Sequence, residues 1–154
     1  LRTFHELNLL VAIGPAYQQE EKLKKIINKY DLYNNVTIHK GKNFLAPIMN
    51  QTDAAITSGG TIMCEAIDIC LPVLALPSIN HEVDAINSYR MGILAESIPC
   101  DVNSIGNEEL KIIIKKFISS QSLRKKIFES QLKFESFSGV RDIANYIKNN
   151  FLSK

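Results

Sequence analysis

The stretch LNLLVAI at residues 7–13 is a continuous apolar run of strand length, and GPAY breaks it before QQEEKLKKIINKY supplies apolar positions at helical spacing. The same alternation recurs down the chain. NVTIH at 35–39 precedes NFLAPIMNQ, DAAITS precedes GTIMCEAIDIC, PVLALP precedes HEVDAINSYRM, and GILAE closes the series. Five short apolar strands separated by helices predict a parallel sheet, because parallel neighbours need a helical crossover and a sheet covered on both faces loses polar alternation. The predicted class is therefore α/β, a Rossmann-like doubly wound parallel sheet of five strands. After residue 105 the strand pattern stops, and EELKIIIKKFISS, SLRKKIFESQLKF and GVRDIANYIKNNF predict three consecutive C-terminal helices.

Composition narrows the partners more than the fold. With 154 residues and 45% hydrophobic content, the chain has enough apolar material for one sizeable core, and it reads as a single domain over 1–154. Its 18 basic and 16 acidic residues nearly balance, which gives no nucleic-acid footprint. The lysines of EEKLKKIINK and LKIIIKKFISS are spaced as solvated helix faces. Cys64, Cys70 and Cys100 form no CxxC pair and have no histidine placed to complete a metal set, so neither a metal nor a cofactor is expected. An odd cysteine count without a signal peptide predicts reduced, mostly buried thiols and a cytoplasmic location. No apolar stretch approaches the ~20 residues a membrane span needs. The chain starts at Leu1 rather than Met, as a piece of a longer protein would.

Chemistry concentrates at Ser58-Gly59-Gly60-Thr61, between the third strand and the helix after it. In open parallel sheets ligands bind beyond the carboxyl ends of the strands, where helix N-termini present unpaired N–H groups. Two glycines there serve either as a tight connection or as a bare turn that lets a phosphate approach the backbone. Neither GxxxxGK[ST] nor GxGxxG is present. Glu65 lies a little over one turn into the helix, where its carboxylate is either a solvated surface charge or an acceptor for a ribose diol. Its apolar neighbours predict a largely buried helix, in which a charge needs a partner. His5 and His39 are isolated and read as packing or surface residues. Asp53 opens a strand rather than ending one, and Ser58 lacks a GxSxG elbow. No catalytic residue is assigned.

The segment DAAITSGGTIMCEAIDICLPVLALPSINHEVDAINSYRMGILAE resembles the carboxy-terminal half of GT-B-type nucleotide-sugar enzymes, which carry an "aD…GG-T…E…G-LP" pattern before a polar loop. Within that group it is most similar to the UDP-sugar hydrolases of pseudaminic acid biosynthesis and the related spore-coat polysaccharide proteins. VAIGPAYQQEEKL resembles their first βα unit, and FSGVRDIANYI their terminal segment. The resemblance implies that this chain is the donor-binding half of a two-domain enzyme that hydrolyses or transfers the sugar of a UDP-sugar, with an N-terminal domain preceding Leu1; the rival readings are a non-catalytic nucleotide-sugar binding module and a flavodoxin-like interaction domain. It further implies that Ser58, Gly59, Gly60 and Thr61 meet the diphosphate and that Glu65 holds the ribose hydroxyls. Asn80 and His81 face the sugar or phosphate, His81 standing where the family has glutamine. Gly14 belongs to the substrate site through the first βα turn, and Lys42 and Asn43 through the base loop at 40–43.

Overall fold

The computed structural model describes residues 7–41, 45–88, 95–98, 101–133 and 139–152. The chain divides into two compact units, Leu1–Thr52 and Asp53–Lys154.

In the first unit the opening apolar run becomes β1 (Leu9–Ile13), which pairs in parallel with β2 (Val36–Lys40), Leu9 opposite Val36 and Ile13 opposite Lys40. The crossover is α1 (Glu20–Lys29), with Glu20 and Glu21 in its first turn and Lys29 in its last, each charge matched to the helix dipole. Glu20 also takes the ammonium of Lys40, so the end of β2 is tied to the start of α1. The helix stops in a Schellman turn. Asp31 adopts the left-handed conformation (φ 51°), its N–H donates to the Asn28 carbonyl at 3.2 Å, and the Leu32 N–H donates to the Ile27 carbonyl at 3.0 Å. Ile27 and Leu32, the apolar pair such a turn brings together, are both buried. A short helix, α2 (Ala46–Met49), ends the unit with Met49 buried.

In the second unit β3 (Ala55–Thr57), β4 (Val73–Ala75) and β5 (Glu96–Ser97) form a parallel sheet in that order. The central strand β4 is fully buried, as its unbroken apolar sequence requires. Between β3 and β4 lies α3 (Thr61–Asp68), and α4 (Asn80–Ser88) follows β4. Like α1, α3 stops in a Schellman turn: Cys70 is left-handed (φ 58°), its N–H donates to the Ile67 carbonyl and the Leu71 N–H to the Ala66 carbonyl, each at 2.9 Å. Pro72 then enters the sheet through its carbonyl, which accepts the Ala55 N–H at 2.9 Å, a position that asks for no N–H.

The strand pattern does end where expected, and helices follow. Ser120 separates α5 (Asn107–Ser119) from α6 (Gln121–Leu132) and caps the second by accepting the Leu123 N–H at 3.2 Å. Arg124 closes the same corner by donating to the carbonyls of Phe117 and Ile118. Phe117 and Ile127 pack with Leu74 as the core between this hairpin and the sheet. The Gln131 amide donates to the Leu71 carbonyl at 3.1 Å, fastening α6 to the α3–β4 connection. The last helix, α7 (Gly139–Ile147), continues into one π-helical turn (Lys148–Leu152). Ile143, Tyr146, Ile147 and Phe151 are all exposed there. Among the described residues no helix is long and apolar enough to cross a membrane. Cys64 and Cys70 are only partly buried, not enclosed as expected, because both lie toward the exposed side of α3 and its exit; Cys100 and His5 lie outside the described residues.

Candidate functional site

Ser58, Gly59, Gly60 and Thr61 come directly off the carboxyl end of β3 and open α3, where the pattern of the sequence put them. Gly60 is the N-cap residue and Thr61 the first helical residue, exposed to solvent. The Met63 N–H closes the first turn on the Gly60 carbonyl at 3.0 Å, while Thr61 and Ile62 stand at positions whose N–H groups have no intrahelical acceptor. Glu65 is exposed on the same helix while Met63, Ala66 and Ile67 are buried, so the expectation of a charge enclosed by apolar neighbours is corrected. Those neighbours occupy the core-facing side of α3, and Glu65 occupies the other. It has no hydrogen bond or ion pair among the described residues, which leaves both oxygens open to a ligand.

The need for glycine in this turn comes from packing at Gly59. Gly60 sits at φ −91° and ψ −158°, extended backbone open to any residue, so a left-handed turn is not the reason for it. Space is the reason. A β-carbon on Gly59 would stand 2.8 Å from Ile86 Cδ1, 2.9 Å from Glu82 Cβ and 3.3 Å from the Glu82 carbonyl oxygen. Helix α4 therefore packs directly on the turn, and Gly59 is the buried floor it rests on. At Gly60 a β-carbon would meet only the Glu82 carboxylate, at 3.3 Å, and the Ser58 hydroxyl at 3.8 Å.

Glu82 is the residue that sequence reasoning missed. It is only 9% exposed, yet it is a carboxylate. The Ser78 N–H donates to it at 2.8 Å and the Ser78 hydroxyl at 3.1 Å, and the Ser58 hydroxyl and Gly59 N–H donate as well. Burial pushes its pKa up, but these four donors together outweigh burial and hold it below the ordinary carboxylate range. Ser78 lies four residues before Glu82, one more than the S-x-x-E spacing of a capping box, so even the local half of this arrangement carries no standard sequence signal. The half that crosses to Ser58 and Gly59 depends on α4 folding onto the β3–α3 turn. Glu82 thus ties together the two loops that carry the candidate residues, since Asn80 and His81 precede it in the first turn of α4 and are both exposed.

The remaining candidates belong to the first unit. Gly14 lies in the first unit, after β1, where it accepts the Tyr17 N–H at 3.1 Å and has open space where a β-carbon would be. Lys42 and Asn43 lie outside the described residues. Lys40, at the start of the expected base loop, is paired with Glu20. Burial, with Asp68 and Glu65 nearby, pushes the Cys64 thiol up, so it stays protonated and unreactive at neutral pH. Among the described residues no group of three or more His, Cys, Asp and Glu side chains is placed to hold a metal ion.

No family model matches the chain. It is 32% identical over 71 residues to the uncharacterized protein MJ1062 of Methanocaldococcus jannaschii, a match covering 46% of this chain and 15% of that protein. It is 30% identical over 82 residues to the spore coat polysaccharide biosynthesis protein SpsG of Bacillus subtilis, covering 53% of this chain and 23% of that protein. Among solved structures, the pneumococcal O-GlcNAc transferase GtfA in complex with UDP and GlcNAc superposes with a TM-score of 0.66 at 13% identity, over 96% of this chain and 30% of that one. The glycotransferase of kitacinnamycin superposes with a TM-score of 0.56 at 14% identity, over 92% of this chain and 42% of that one. The chain thus spans less than half the length of each of these proteins, and its α/β fold with parallel sheets and helices matches that of GT-B glycosyltransferases.

Proposed function

We propose that residues 1–154 are the donor-binding half of an enzyme that cleaves or transfers the sugar of a nucleotide sugar, UDP-linked, in surface polysaccharide or glycan biosynthesis. The observation that carries this reading is the juxtaposition on α3 of a bare Ser58-Gly59-Gly60-Thr61 turn with the exposed carboxylate of Glu65. The amides of Thr61 and Ile62 and the Thr61 hydroxyl take the phosphates, with the positive end of the helix dipole behind them. Glu65 accepts from the two ribose hydroxyls. Asn80 and His81 reach the sugar or the distal phosphate from the first turn of α4. The family resemblance implies Gly14, Lys42 and Asn43 as further substrate-binding residues, the last two for the base. Resemblance to the UDP-sugar hydrolases of pseudaminic acid biosynthesis favours water as the nucleophile, and the catalytic base belongs to an N-terminal domain. The free thiols of Cys64 and Cys70 suit a cytoplasmic setting.

A second reading, transfer to an acceptor hydroxyl, is favoured by the fold, since both superposed structures are named as transferases. The donor site is the same in either case. Thermal unfolding against UDP, GDP, CMP and dTDP and their sugars tests it, because at a fixed ligand concentration a ligand that binds only the folded state raises the midpoint more the tighter it binds, with the logarithm of its affinity. UDP and UDP-sugars are expected to give the largest shift. Glu65→Gln is expected to weaken UDP binding by about 1.5–3 kcal/mol, the range for hydrogen bonds to a charged group, without changing the unliganded midpoint. A folded Glu65→Gln protein with unchanged affinity would return Glu65 to a plain surface charge.

A further inference from the structure

The Glu82 carboxylate is a buried charge that the donor-binding reading does not use, and it stands at the wall of the candidate phosphate turn. Two of its four donors, the Ser58 hydroxyl and the Gly59 N–H, belong to that turn, and its Oε1 lies 3.3 Å from where a β-carbon on Gly60 would be. A phosphate docking on the Thr61 and Ile62 amides would therefore share the turn with a fixed negative charge. From this we infer that Glu82 is a specificity-determining residue that sets the charge the site accepts: it disfavours a free nucleoside diphosphate relative to a nucleotide sugar.

The inference rests on the donor-binding reading above, and its logic is charge counting. The diphosphate of a nucleotide sugar is esterified at both ends and carries two negative charges. The free nucleoside diphosphate carries nearly three at pH 7.5, because the second ionisation of a terminal phosphate falls near pH 6. Glu82 repels both, but it repels the third charge in addition, in a partly buried setting where water screens poorly. One unit charge at such range is worth about tenfold or more in affinity. The same carboxylate holds the β3–α3 turn against the β4–α4 loop through Ser58 and Ser78, so the discrimination comes with positioning of the donor amides. For the reaction, the consequence is that cleavage creates a charge the site rejects, which favours product release.

Two substitutions separate charge from shape. Glu82→Gln keeps the length and most of the hydrogen bonding and removes the charge; Glu82→Asp keeps the charge and shortens the reach. By calorimetry with UDP and a UDP-sugar at pH 7.5, Glu82→Gln is expected to gain about tenfold in affinity for UDP relative to its change for the UDP-sugar. Glu82→Asp is expected to leave that ratio unchanged even if both affinities fall. An equal change in both ligands for Glu82→Gln would overturn the inference and leave Glu82 a purely structural residue. If Glu82→Gln does not fold, the wild-type protein decides through UDP and its β-methyl ester, which differ by one charge: the ester is expected to bind at least as tightly, and clearly weaker binding of the ester overturns the inference. Failure of every uridine ligand to bind would instead sink the donor-binding reading itself.

Discussion

Replacing Gly59 with alanine tests the packing of α4 on the β3–α3 turn. The added β-carbon would stand 2.8 Å from Ile86 Cδ1 and 2.9 Å from Glu82 Cβ. Ordinary carbon–carbon contacts lie at about 3.5–4.0 Å, so roughly 0.6–1.2 Å must be found. Ile86 Cδ1 is the end of a side chain and can yield by changing rotamer, although Ile86 is only 3% exposed and has little room. Glu82 Cβ cannot yield alone, because it moves with the α4 backbone, and the carboxylate beyond it is held by Ser78. The helix must therefore shift or tilt, at a cost of about 1–3 kcal/mol for overpacking of a filled site. That corresponds to a fall of roughly 3–10 °C in Tm for a chain of this size. Urea denaturation followed by circular dichroism measures it, and Ile86→Val, which deletes Cδ1, should recover part of the loss in the double variant. Gly60→Ala is the internal control: its β-carbon would meet only the Glu82 carboxylate at 3.3 Å, a few tenths of an ångström too close, and the Ser58 hydroxyl at 3.8 Å, so it should cost less than about 1 kcal/mol. A Gly59→Ala protein as stable as wild type, or less affected than Gly60→Ala, would refute the packing argument.

Cys70→Gly should stabilise the protein by about 0.5–1 kcal/mol by relieving a left-handed residue at the exit of α3, and Cys70→Val should destabilise it by more; thermal midpoints of the two variants should bracket wild type. Because the folded pKa of Glu82 is depressed, the stability it contributes is present above its unfolded value near 4.5 and is lost as pH falls through the lower folded value. Acid unfolding of Glu82→Gln should therefore begin from a lower plateau and lack that part of the wild-type slope below pH 4.5. Residues 1–154 alone should bind a UDP-sugar and release UDP no faster than buffer, since among the described residues none is placed as a convincing base; sustained release by this chain, lost in His81→Ala, would refute the assignment of the catalytic base to another domain.

Elements were legible in the sequence wherever local pattern and tertiary demand agreed. The apolar runs at β1, β2, β3 and β4 appear at their expected places, and the three helices after residue 105 follow because their periodicity is long and strong. The glycine turn was legible as a location but not in its cause. Sequence supplies no sign that α4 crosses over Gly59, so the demand for space under that helix could not be read from the glycine pair itself. The left-handed residues of α1 and α3 are Asp31 and Cys70, neither of which announces such a conformation as glycine does. Glu82 was passed over for a related reason. In HEVDAINSYRM it looks like one more polar residue on an amphipathic helix, and only its four donors, two of them from the other loop, distinguish it from a solvated glutamate.

The two Schellman turns bear on how easily this protein can change. Every aspartate codon and every cysteine codon becomes a glycine codon by a single nucleotide substitution, so at both Asp31 and Cys70 the strain-free residue is one mutational step away. Glycine at either position would add stability without touching Ser58, Gly59, Gly60, Thr61 or Glu65. Such steps form a reserve against which destabilising changes near the candidate site can be offset during selection. A mutagenesis library selected for heat resistance would be expected to reach residues 31 and 70 early, and a lineage that had already taken those steps would tolerate more experiment in the two loops that Glu82 holds together.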